Sequence, residues 1–205
     1  MPSIGRLKEI EKKLKELDIV SEIGKFKKHS ENEIIKIENK YGFEFPQDYR
    51  EFLLKFGNSS FESNSYFHSI ERTPYATEDN LDSINVFYGL DNDDNDLAEQ
   101  VEIYLDRIPK AIIPIAEAEG GNIICIGVKD EINGKIFYWD HENEYKAKLM
   151  LGMKLTVDIN EYWENVYIVA ESFWDFIMSF KVVDKKNNSK IDLDDIELQL
   201  DDDLL

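Results

Sequence analysis

The stretch Ile112–Val128, IIPIAEAEGGNIICIGV, limits most strongly what this chain can become. It sets two short apolar runs on either side of a Gly-Gly-Asn turn signal. The second run, Ile123–Val128, has no polar alternation, so a strand built from it is apolar on both sides. Such a strand has to be covered on both faces, which makes it central in its sheet. Asn133-Gly134 follows as a hairpin signal, and Lys135–Trp139 completes the hairpin. With 205 residues the chain can bury a core of this kind without metals or disulfides, and one domain is expected. A single cysteine, Cys125, lies inside the apolar run. It permits no internal disulfide, and an apolar strand is the setting of an inert buried thiol rather than a reactive one.

The flanks carry helical periodicity. Leu7, Ile10, Leu14 and Leu17 recur at three-four spacing. Ser30 with Glu33 forms a capping box, Ile34, Ile37 and Tyr41 share the face that follows, and Gly42 ends that helix. Pro46 opens the next at a position that needs no amide donor; Tyr49, Phe52, Leu53 and Phe56 give its buried face, and Gly57-Asn58 stops it. Ser60–Thr73 and Ile84–Tyr88 read as strands. Leu97, Val101, Tyr104 and Leu105 make another amphipathic helix closed by Pro109, and Ile112–Ala116 and Val166–Ala170 read as strands. Ser172 caps a last helix with Phe173, Phe176, Ile177 and Phe180 on one face. Glu144–Glu164 has no clear period, and Asp184–Ser189 looks like a linker. The class is α+β: helices first, then a mostly antiparallel sheet with further helices packed on it.

Charge separates the regions. The chain has 24 Lys+Arg against 43 Asp+Glu, a net of −19. Residues 1–56 carry a net of +1 and residues 57–205 a net of −20. The acid is densest at Asp91, Asp93, Asp94 and Asp96, and in Asp192–Asp203, which has seven carboxylates and no cation. A surface of this sign disfavours nucleic acid, whose phosphates demand cations, and anionic membranes. It attracts basic partners. The N-terminus lacks the apolar core of a signal peptide and no run approaches the length of a membrane span, so the expected location is the cytoplasm.

Several motifs offer chemistry. Asp91, Asp93, Asn95 and Glu102 match positions 1, 3, 5 and 12 of a calcium loop, but position 6, which needs Gly, is Asp96. The competing reading is an acidic loop ending in a helix cap at Asn95 or Asp96. Asp140-His141-Glu142 could be an acid-base cluster or a polar turn after a strand; the turn is favoured. The tail alternates acid with Ile191, Leu193, Ile196, Leu198 and Leu200, a pattern of solvated disorder or of a docking segment. No phosphate-binding loop, nucleophile elbow or histidine pair at metal-ligand spacing occurs. The expectation is therefore no catalytic residue, no cofactor and no metal.

Three ordered stretches carry a resemblance. They are YGFEFPQDYREFLLKFGN (Tyr41–Asn58), IIPIAEAEGGNIICIGV with GKIFYWDHENE (Ile112–Val128, Gly134–Glu144), and VYIVAESFWDFIMSF (Val166–Phe180). Together they resemble the SUKH superfamily of Smi/Knr type, over about residues 30–181. Two departures stand out: Gly57-Asn58 replaces the family's Asn-Gly, and Glu144–Glu164 reads as a local insertion. The resemblance implies an α+β core without catalysis, and bacterial members that bind and neutralise polymorphic toxins, many of them nucleases. It transfers no binding residue. Residues 1–183 are then one SUKH-like domain, with 1–28 as a helical N-terminal extension and 184–205 as an acidic tail. The expected function is a non-enzymatic immunity protein against a secreted or contact-dependent toxin; the alternative is a regulatory scaffold in cell-wall or signalling control. The expected partner is a basic cognate toxin, met by Asp91, Asp93, Asp94, Asp96 and Glu99.

Overall fold

The structure, a computed structural model, describes residues 4–16, 30–61, 65–90 and 94–183. Leu17, Asp91, Asp93, the linker Asp184–Ser189 and the acidic tail lie outside the described residues. Three helices come first: α1 (Ile4–Glu16), α2 (Glu31–Tyr41) and α3 (Gln47–Phe56). Seven strands follow, β1 (Ser65–His68), β2 (Leu81–Phe87), β3 (Ile112–Ala118), β4 (Ile123–Gly127), β5 (Ile136–Trp139), β6 (Val166–Ala170) and β7 (Lys181–Val182). They form one antiparallel sheet in the order β6-β5-β4-β3-β2-β1-β7. Three further helices intervene: α4 (Leu97–Tyr104), α5 (Tyr145–Met150) and α6 (Phe173–Ser179).

The unalternating strand β4 sits in mid-sheet, and its two faces serve two cores. Ile124 and Ile126 join the large apolar cluster under the helices, while Ile123 and Cys125 join a smaller one with Ile108, Ile112, Phe137 and Trp139. Period-two geometry does this sorting. The hairpin partner β5 repeats it, with Cys125 opposite Phe137 and Ile123 opposite Trp139. Burial pushes the Cys125 thiol well up, as expected of an inert core cysteine.

Helix ends follow the local chemistry. The Glu33 carboxylate accepts the Ser30 amide at 2.7 Å, and Gly42 closes α2 in the left-handed region at φ 73°. The corner into α3 is held by a buried carboxylate: Glu38 accepts the Phe45 amide at 2.8 Å and the Arg50 guanidinium at 2.6 Å. Pro46 is the N-cap of α3 rather than its first turn, a shift of one residue with the same cause, since neither position needs an amide donor. Tyr49, Phe52, Leu53 and Phe56 are all buried, as are Phe173, Phe176, Ile177 and Phe180. Phe173 stands edge-on to Tyr49 and Phe52, at 5.2 and 4.8 Å between centroids.

Two further details differ from the sequence reading. Among the described residues of Ser60–Thr73, only Ser65–His68 form a strand, and Ser60 makes an isolated bridge to Val86. The chain beyond it crosses to the far side of the sheet, where the Ile70 and Glu71 amides donate to the Val169 and Ile168 carbonyls of β6. The sheet is therefore curled, and β6 is partly covered. Leu105 lies past the end of α4 and is 38% exposed rather than on its buried face.

Emptying Leu53 or Phe176 by substitution to alanine should cost ~2–5 kcal/mol each in urea unfolding. Tyr49→Phe should do the opposite. The Tyr49 hydroxyl is buried with no hydrogen-bond partner among the described residues, so removing it should be neutral or stabilising by about 1 kcal/mol.

Candidate partner-binding surface

Helix α4 starts where the acidic loop ends. Asp96 is its N-cap, with the carboxylate accepting the Glu99 amide at 3.1 Å, and the Gln100 side-chain amide donates to the Asp94 carbonyl at 3.1 Å. Leu97 and Val101 face the core. The opposite side presents Glu99, Glu102, Ile103 and, just past the helix, Asp106, all exposed. This spacing of i, i+3, i+4 and i+7 is one helix face. Of the predicted residues, Glu99 is exposed on this face and Asp94 is exposed beside it, Asp96 is half-buried in its capping role, and Asp91 and Asp93 lie outside the described residues.

The sequence pattern reaches Glu99, and the helix brings Glu102, Ile103 and Asp106 onto the same face. The signal was present: residues 91–106 hold seven carboxylates and no cation, and the buried Leu97–Val101 stripe already fixes which side faces out. Ile103 is 47% exposed, so an apolar centre stands among carboxylates. The adjoining Tyr104, Leu105 and Asp106 line a groove of about 310 Å³, together with Ile108, Pro109 and the lysines Lys40, Lys110 and Lys129. An apolar centre with a charged rim is the usual build of a protein interface.

The same geometry bears on the calcium reading at the described positions of the loop. The chain is already helical from position 7 of the would-be loop. Its position-12 carboxylate, Glu102, accepts from Lys40 at 2.8 Å and from the Tyr41 hydroxyl at 2.6 Å. The Lys40 bond holds Glu102 below the usual carboxylate range. Glu102 is thus a tie between α4 and α2, and among the described residues no cluster of His, Cys, Asp and Glu is arranged to hold a metal. The cap reading holds at Asp96.

Asp140-His141-Glu142 is a polar turn. Asp140 is fully buried and accepts the Glu142 amide at 3.0 Å and the Asn143 side chain at 2.7 Å. Asn122 accepts the His141 amide at 3.0 Å, and Asn165 donates to the Asp140 carbonyl at 2.7 Å. The turn after β5 is thereby locked to the Gly120-Gly121-Asn122 turn, whose glycines hold φ of 72° and 78°.

Asp96→Ala should cost about 1 kcal/mol of stability through the lost cap, whereas Asp96→Asn, which keeps an acceptor, should cost only a few tenths. Urea unfolding of the two variants side by side separates the capping role from the charge.

Comparison with known proteins places this architecture. Residues 28–179 match the SMI1 / KNR4 family (SUKH-1). The chain is also 34% identical over 208 residues, covering 96% of each, to the SPbeta prophage-derived uncharacterized protein YokK of Bacillus subtilis (strain 168). The likeness to that protein extends beyond the family match, and α1, which precedes the match, is built into the domain: Ile10 and Leu14 are buried in the large core and Glu9 accepts from the Trp174 indole at 3.1 Å. No helix among the described residues is long and apolar enough to cross a membrane. This chain belongs to the SMI1 / KNR4 family (SUKH-1).

Proposed function

We propose that this chain is a non-enzymatic immunity protein that binds and neutralises a basic bacterial toxin in the cytoplasm, with the acidic outer face of α4 as the contact surface. The observation that carries the reading is that face itself: Asp94, Glu99, Glu102 and Asp106 around exposed Ile103, on a chain of the SUKH-1 family. Toxins that cut nucleic acid carry cations for phosphate, and an acidic face meets them with complementary charge.

The state of the buried ionisable groups supports a binding role over catalysis. Asp140 caps a turn, Asp82 holds the Ser69 and Thr73 hydroxyls at 2.9 and 2.6 Å, and Glu38 braces a helix corner. Burial raises Asp82 above the ordinary carboxylate range, against the pull of those two hydroxyls. Each of these carboxylates has a structural task, and Cys125 is sealed in the sheet.

Co-expression with a cognate basic toxin domain should restore growth. In binding kinetics with that domain, Asp94→Asn, Glu99→Gln and Asp106→Asn together should slow association roughly tenfold at low salt. They should also flatten its salt dependence and leave the melting temperature in place. Failure to rescue growth, with no detectable complex, would favour the scaffold role. An unchanged association rate would move the contact away from α4.

A further inference from the structure

The excursion between β5 and β6 holds the most exposed large apolar side chains among the described residues. Met150 is 88% and Leu151 81% exposed, and Leu149, Met153 and Val157 are exposed with them. The tip is built rather than frayed. Gly152 stands at φ 79°, its amide donates to the Leu149 carbonyl and the Met153 amide to the Lys148 carbonyl, both at 3.0 Å. That pair of bonds is a Schellman closure of α5. At the base, the Tyr145 hydroxyl donates to the Val157 carbonyl at 2.9 Å, and the Tyr145 ring stands edge-on to buried Tyr162. Residues 145–157 are thus a closed loop that turns methionine and leucine outward.

The charge of this loop is opposite to that of its surroundings. It contains three lysines and no carboxylate, within a region of net −20. Lys146 and Lys154 are exposed at its two ends. One other part of the sequence has the complementary composition: Ile191–Leu205 alternates apolar residues with seven carboxylates. The 22 residues that follow Val183 reach about 70 Å when extended at ~3.3 Å each. That exceeds the width of a domain whose radius of gyration is ~16 Å.

We propose that residues 191–205 dock in cis on the tip of α5, with their apolar side chains over Met150, Leu151 and Met153 and their carboxylates at Lys146 and Lys154. A tether of this length keeps the segment at an effective concentration on the order of millimolar, so modest contacts suffice. Covering these exposed Leu and Met side chains takes apolar surface out of water, against the ordering of the tail. This docking is independent of the toxin-binding reading.

Methionine-methyl resonances of the full-length protein test it with no partner present. The chain has four methionines, Met1, Met150, Met153 and Met178, and Met178 packs against the core as an internal reference. Leu193→Asp, Ile196→Asp and Leu198→Asp combined should move the Met150 and Met153 methyls and leave Met178 unmoved. Lys146→Glu with Lys154→Glu should release the tail and move both methyls too, as should molar salt, where the screening length falls to about 3 Å. Met150 and Met153 resonances that ignore the tail substitutions would overturn the proposal. A displacement that fades on dilution would assign the occupant to a second copy and overturn docking in cis.

Discussion

Everything in this structure hangs on the edge-on packing of two phenylalanines of α6. Phe173 meets Tyr49 and Phe52 of α3, and Phe176 meets Phe67 of β1 at 5.0 Å. Phe87 of β2 completes the group, at 4.7 Å from Phe52. Each such ring pair adds about 0.5–1.5 kcal/mol beyond the area it buries. Through these contacts the N-terminal helices, the sheet and the last helix become one body. Without α6, α3 would lose its edge-on partner and α1 the helix that carries its Trp174–Glu9 tie.

That core leaves the polar interior free for joints. Glu38 with Arg50, Asp82 with two hydroxyls, and Asp140 with Asn143 and Asn165 each brace a place where the chain changes direction. Buried carboxylates are tolerable only with such partners. The second core, on the far side of β4, is braced from outside by Arg107. Its guanidinium lies over Tyr104 and Trp139 and donates to Glu144 at 2.8 Å. The end of α4 is therefore fixed to the sheet, which leaves Glu99 and Asp106 free of a bracing role, whereas Glu102 is committed to Lys40 and Tyr41.

Local signals were legible in the sequence because they depend on near neighbours. Ser30 with Glu33, Gly42, Ser172 and the stripe on α3 each act within a helix turn or two, and the unalternating β4 announced its own double burial. What escaped was long-range. Nothing near Ile70 and Glu71 says that they pair with β6, about a hundred residues on, and nothing in Lys181–Val182 says that it extends the sheet beside β1. The candidate surface was read only as far as its acid ran in sequence. Glu102, Ile103 and Asp106 join it through the rotation of α4, and Asp96 leaves it in part because its carboxylate is committed to the helix cap. The α5 excursion had no period to read because its apolar residues point outward, against the rule that periodicity detects.

The central proposal is that this fold supports a contact surface on the acidic side of α4. Hydrogen exchange of the chain alone and bound to the cognate toxin domain tests it most directly. The account predicts that binding slows exchange in residues 94–106, with the sheet amides of β3, β4 and β5, already well protected, unchanged. Protection that falls on another surface and leaves residues 94–106 as they are in the free protein would contradict it.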